Sequence, residues 1–176
     1  MIRAFATSDV GKAREINEDY FYVSYPDDKV QLFILADGMG GYNGGEVASQ
    51  LAVKTAKNYI IDNYDKSLES KEALLELVKG ASQYANLVVY EKSQQNEELS
   101  KMGTTLDICL IYQSKAFISH IGDSRIYRLK NIDVEFYERI KLLLVNNKIN
   151  GLSKGGLICQ EILRHRNLNN PIKNYK

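Results

Sequence analysis

Two helical patterns stand back to back in the middle of this chain, and strand-like runs occur only before and after them. Residues 19–25 are aromatic and β-branched, and 30–36 form an apolar run ending at Asp37-Gly38. Both read as strands, with Pro26-Asp27-Asp28 as the turn between them. Residues 2–7 read as a further strand ahead of these. From Gly45 the period changes. Val47, Leu51, Thr55 and Tyr59 lie four apart, as do Ala48, Ala52, Ala56 and Ile60, which makes one apolar helix face. A second helix over 71–93 presents Leu74, Leu77, Val78, Ala81, Tyr84, Ala85 and Val88. Three short strands follow, over 104–112, 116–121 and 125–129. Parallel strands need a long crossover, usually a helix, between each pair. Strands in blocks around one helix pair therefore predict antiparallel sheet and the α+β class.

At 176 residues the chain is long enough for one domain with a real core. Its net charge is +1, which argues against a globally basic nucleic-acid binder. Apolar runs such as 32–36 fall far short of the ~20 residues that span a bilayer, so no membrane insertion is expected. Asp9 comes too early for the apolar core of a signal peptide. Two cysteines, Cys109 and Cys159, are too few for a disulfide framework, and with two histidines they show no zinc spacing. A cytoplasmic location is the expectation. The charge is uneven, however. Residues 141–176 hold seven Lys/Arg and the single acid Glu161, a net of +6, which leaves −5 for the rest. Composition shifts near residue 140, as for a basic interaction tail or a polar terminus.

Three segments could carry chemistry. The first is Asp37-Gly38-Met39-Gly40-Gly41-Tyr42-Asn43-Gly44-Gly45-Glu46, with five glycines among residues 38–45. It lacks the Lys-Ser/Thr of a P-loop, and Asn43 breaks the dinucleotide pattern. A carboxylate beside a closely approachable backbone suits a hard divalent cation, and a glycine turn capped by Asp37 is the plainer alternative. The second segment, Gly11 to Asp19, offers Arg14 as a bidentate phosphate ligand, with Glu18 and Asp19 pointing to opposite faces if the segment is extended. A solvated loop is its plain reading. The third is His120-Ile121-Gly122-Asp123-Ser124-Arg125, where Gly-Asp is also ordinary turn chemistry. Met102-Gly103-Thr104-Thr105 reads as the start of a strand, and Cys109 as a packed residue.

Taken in order, these stretches resemble the metal-dependent serine/threonine protein phosphatases of the PPM (type 2C) family, small bacterial type. The resemblance rests on Ser8-Asp9-Val10-Gly11-x-x-Arg14-x-x-Asn17-Glu18-Asp19, Leu35-Ala36-Asp37-Gly38-Met39-Gly40-Gly41 and Gly44-Gly45-Glu46-Val47-Ala48-Ser49. Met102-Gly103-Thr104-Thr105 and Ile121-Gly122-Asp123-Ser124-Arg125-Ile126-Tyr127 complete it. It implies two packed antiparallel sheets flanked by helix pairs. It implies two Mn²⁺ or Mg²⁺ ions and a third, weaker one. By analogy Asp37 is the catalytic, bridging carboxylate and Gly38 lends its carbonyl. Asp19 and Glu18 hold metal-bound water or orient the ligands, Arg14 binds the substrate phosphate, and Asp123 serves the weaker ion. Phosphorylated proteins and a cognate kinase are the implied partners.

The chain departs from the family twice. Tyr42 stands where many relatives have a proton-donating histidine, and tyrosine is a poor acid near neutrality. The resemblance also covers only 2–129. The family's later Asp-Gly and Asp-Asn motifs find no counterpart in 131–176, whose apolar residues Leu142 to Val145, Ile158, Ile162 and Leu163 could form helices over an open sheet edge. The sequence thus divides at 1–130, the N-terminal part of a phosphatase domain, and 131–176, a divergent basic tail. A chain lacking later metal ligands, as in a truncated or frameshifted gene, is expected to turn over weakly or not at all. A non-catalytic phosphoprotein-binding module or a non-functional fragment are the competing readings.

Overall fold

In a computed structural model the described residues are 2, 4–12, 14–40, 44–65, 70–95, 97–128 and 157–160. The strands are β1 (Asp19–Val23), β2 (Gln31–Met39), β3 (Gly103–Thr104), β4 (Leu106–Tyr112), β5 (Lys115–Ile121), β6 (Arg125–Arg128) and β7 (Leu157–Gln160). The helices are α1 (Gly44–Asn63) and α2 (Lys71–Gln95). A five-stranded sheet runs in the order β1-β2-β4-β5, with β3 also on β2, and β6 pairs with β7 in a second sheet. Every pairing is antiparallel. The α+β class holds.

Alternation along the strands sorts side chains to two faces. Leu32, Ile34, Ala36, Leu106, Ile108, Leu110 and Phe117 pack with the helix pair. In α1 the row Ala48, Ala52, Ala56, Ile60 is buried, and its alanines let the helix lie close to the sheet. Val47, Leu51 and Tyr59, the adjacent row, are partly buried at its flank. In α2 the buried face takes Val89 where the expected stripe has Val88 and runs on to Ser93, while Tyr84 of that stripe is exposed. Ser70 caps α2, its Oγ accepting the Ala73 N–H at 3.0 Å. The opposite sheet face holds Cys109, Ile111, Ala116, Ile118 and Phe33 together with Ile126 of β6, so the second sheet packs there. No helix among the described residues is long and apolar enough to cross a membrane.

Several expectations change. Residues 4–10 form no strand, and Phe5 is 94% exposed. Among the described residues no ladder partner pairs with this segment, and an unpaired extended run gains nothing from strand geometry. Ile2 instead packs on the outer-face cluster. The strand expected to end at Asp37-Gly38 continues through both to Met39, because β3 pairs Gly38 with Thr104 and Met39 with Gly103. The single strand expected over 104–112 splits at Thr105 into β3 and β4. Ile158 lies in β7, paired with Tyr127, and not in a helix. Leu142 to Val145, Ile162, Leu163 and Tyr42 fall outside the described residues.

Candidate active site

Antiparallel pairing of β1 and β2 sets Asp19 directly across from Asp37. Directly opposed residues share a sheet face, with Cβ atoms ~5 Å apart. Both carboxylates stand on the face turned away from the helices, since Ala36 and Tyr20 beside them pack toward the helices. The two acid groups hydrogen-bond to each other, and the Asp19 carboxyl is pushed up from 3.8 to about 6. Burial is the largest cause, followed by the Asp37 charge and the shared hydrogen bond; Arg14 opposes the rise and Glu18 adds to it. Two like charges at this spacing favour a proton or a cation between them.

Backbone contacts fix the pair. The Asp37 N–H donates to Thr105 Oγ1 at 2.9 Å. The Asp37 carbonyl accepts from the Thr105 N–H and from Thr104 Oγ1, each at 2.9 Å. Gly38 N–H donates to the Glu18 carbonyl at 3.1 Å, and Ser49 Oγ of α1 donates to the same carbonyl at 2.6 Å. The Asp19 N–H donates to Asn17 Oδ1 at 3.0 Å, and Asn17 in turn donates to Ser8 Oγ. Gly38 is enclosed by the backbones of Glu18 and Gly45, which accounts for the glycine there.

Glu18 lies at the same corner, its carboxylate against Gly45 at the start of α1 and 3.9 Å from the Arg14 guanidinium. Arg14 is largely exposed, with 57% of its side chain open to solvent. Asp123 is exposed in the turn between β5 and β6, which Gly122 makes at φ +103°. That turn reaches Asp37 through one relay: Ser124 Oγ meets Thr105 Oγ1 at 2.6 Å, and Thr105 binds the Asp37 N–H. The structure thus gathers Asp19, Asp37, Gly38 and Glu18 at one corner, with Arg14 beside it and the Asp123 turn tied to it.

The donor set is all oxygen, which suits a hard cation such as Mg²⁺ or Mn²⁺. Like charges held face to face by the ladder fit such an ion on chemical grounds. Among the described residues no group of three or more His, Cys, Asp or Glu side chains is placed to enclose one. Thr105, Ser49 and Asn17 were not legible as site residues. Their partners lie up to 68 residues away, and threonine at a strand start carries no local signal of such a bond. Asp107, buried and bonded to His120, was missed for the same reason.

Comparison with known proteins gives the family. Residues 11–136 match the family described as Protein phosphatase 2C. The chain is 36% identical over 126 residues to a serine/threonine phosphatase stp of Listeria innocua, covering 70% of this chain and 48% of that one. It is also 36% identical over 131 residues to the serine/threonine protein phosphatase PstP of Mycobacterium tuberculosis, covering 74% of this chain and 23% of the relative. The chain therefore spans about half, or less, of these relatives' length. A crystal structure of the catalytic domain of a phosphatase PstP with two manganese ions superimposes with a TM-score of 0.60 at 35% identity, over 71% of this chain and 50% of that one. With the match running through most of its length, the chain belongs to the protein phosphatase 2C family.

Proposed function

We propose that the chain carries the acid-pair half of a divalent-metal-dependent phosphatase acting on phosphoserine and phosphothreonine in proteins. The register that opposes Asp19 to Asp37, with the Asp19 carboxyl pushed up to about 6 by burial and by the Asp37 charge, carries this reading. Asp37 and Asp19 would hold a Mn²⁺ or Mg²⁺ ion with the Gly38 carbonyl as neighbour, and Asp123 a weaker one. When bound, such ions lower the pKa of water and offset the charge of an in-line displacement at phosphorus. Glu18 holds β1 against the start of α1 and orients the corner. Arg14 is free to swing from its long 3.9 Å contact with Glu18 to a phosphate, which its planar fork binds through two hydrogen bonds. The full enzymatic activity, the phosphoprotein substrates, a cognate kinase and a cytoplasmic location are parts of this reading.

Among the described residues no third acid joins this pair to enclose an ion, so turnover by the chain alone is expected to be slow. The test is hydrolysis and binding of a phosphothreonine peptide in Mn²⁺. Slow phosphate release that disappears in Asp37→Asn supports the reading. Tight peptide binding that survives chelation, with no release, would favour the rival reading of a non-catalytic phosphoprotein-binding module built on the exposed Arg14. Arg14→Ala is expected to weaken peptide binding about tenfold, with Arg14→Lys recovering only part, because a point charge cannot reproduce the fork. Fluorescence anisotropy would measure both.

A further inference from the structure

Asp107 is a buried acid that the proposed chemistry does not use. Its side chain is wholly enclosed in β4, at 0% exposure. Its Oδ1 lies 2.6 Å from His120 Nδ1, while Oδ2 meets no hydrogen-bond partner among the described residues. With an ionised carboxylate as partner, Nδ1 carries the proton and donates. Burial raises the Asp107 carboxyl, and the bond to His120 works against that rise. A buried acid with one anchor is a poor source of stability, and such pairs are better at fixing geometry.

What the pair fixes follows from the β4–β5 register. Asp107 sits opposite His120, and Leu106 opposite Ile121. One residue further along both strands brings Thr105 to Gly122. The contact there is close: a Cβ on Gly122 would lie 2.7 Å from Thr105 Cγ2 and 2.9 Å from its Cβ. Thr105 is itself 1% exposed. Its hydroxyl meets Ser124 at 2.6 Å and accepts the Asp37 N–H at 2.9 Å. Asp107 and His120 thus hold the two strands together just before the point where the Gly122 turn closes on Thr105 and Thr105 grips the Asp37 peptide. Asp107 pairs with Leu35 of β2, two residues before Asp37, so Asp107 lies on the Asp37 face of the sheet, and Thr105 just ahead of β4 bonds Asp37 itself.

We propose that Asp107 and His120 form a positioning clamp for Asp37, acting through Thr105 and the Gly122-Asp123-Ser124 turn. Its catalytic meaning rests on the role proposed above for Asp37, but the clamp is read without metal. Neither residue touches substrate in this account. The experiment is site-resolved amide hydrogen exchange by NMR on the metal-free full chain. His120→Phe keeps a ring and removes the donor, but it strands a buried acid and could unfold the chain. The double variant Asp107→Leu with His120→Phe replaces both partners by apolar groups, a change that is often nearly neutral in stability. In it the Asp37 amide is expected to exchange at least about tenfold faster, while the amides of 31–35 in the same strand keep their wild-type rates. Asp107→Asn retains an acceptor oxygen for His120 and is expected to stay within about twofold of wild type at Asp37.

Unchanged Asp37 exchange in the double variant overturns the proposal. So does equal acceleration throughout β2, which would mark ordinary loss of stability. Mn²⁺ titration of the wild-type chain separates the two claims. No binding there, with the exchange pattern as expected, sinks the metal reading and leaves the clamp standing.

Discussion

Asp37→Asn is expected to lower Mn²⁺ affinity by about 100-fold or more and, without metal, to make the chain more stable. Removing one of two anionic oxygen donors takes away half the charge that draws a hard cation. The stability gain comes from the same pair. Asp19 is raised from 3.8 to about 6, chiefly by burial and next by the Asp37 charge. Because the folded pKa lies above the unfolded one, the contribution is fully present below about pH 4 and is lost as pH rises through about 6. The undiminished cost above that window is about 3 kcal/mol. Solvent reaches the half-buried pair and screens it, and the burial part persists in the variant, so the expected gain is about 1 kcal/mol at pH 7.5. It should fade to nothing by pH 4. Urea melts of metal-free wild type and variant at pH 4, 6 and 7.5 would measure it. A variant no more stable than wild type at pH 7.5 would show that the two acids do not repel.

Gly38→Ala is expected to cost at least about 3 kcal/mol, more than ordinary overpacking of a side-chain core, or to prevent folding. A Cβ at this position would lie 2.6 Å from the Glu18 carbonyl oxygen and overlap the Gly45 carbonyl. Both are backbone atoms, one entering β1 and the other opening α1, so neither can turn aside like a flexible side chain. The Gly38 N–H bond to the Glu18 carbonyl would be lost as the strands part. Gly11 supplies the contrast. It has φ +73° and open space around it, so Gly11→Ala pays only the left-handed backbone strain of about 1 kcal/mol. Equal midpoints for the two variants in urea would contradict the packing described at Gly38.

The helices and the central strands were legible because burial writes itself into local periodicity. Ala48, Ala52, Ala56 and Ile60 repeat at helical spacing and are buried on the sheet. The segment 2–7 has equally good strand composition yet forms no strand over its described residues, because pairing depends on a neighbour that composition does not name. The site divides in the same way. Asp37, Gly38, Glu18 and Asp19 were legible as an ordered motif, and the β1–β2 register brings Asp19 and Asp37 face to face. Thr105 belongs to the motif series and to a strand start but carries no site role by sequence, although both its backbone and its hydroxyl hold Asp37. Nothing local in Gly-Thr-Thr distinguishes a threonine that will bind a peptide 68 residues away. Asp107 was equally hidden, since an acid within an apolar run reveals its burial only when His120 is known to lie opposite.

Paramagnetic broadening by substoichiometric Mn²⁺ in the amide NMR spectrum reads out whether the Asp19–Asp37 pair grips a divalent cation. Selective loss of the signals of residues 17–20, 36–39 and 104–105 is expected, with those of α2 around Ala81 unaffected, and no selective loss in Asp37→Asn. Broadening centred elsewhere, or the same pattern surviving in Asp37→Asn, would contradict it.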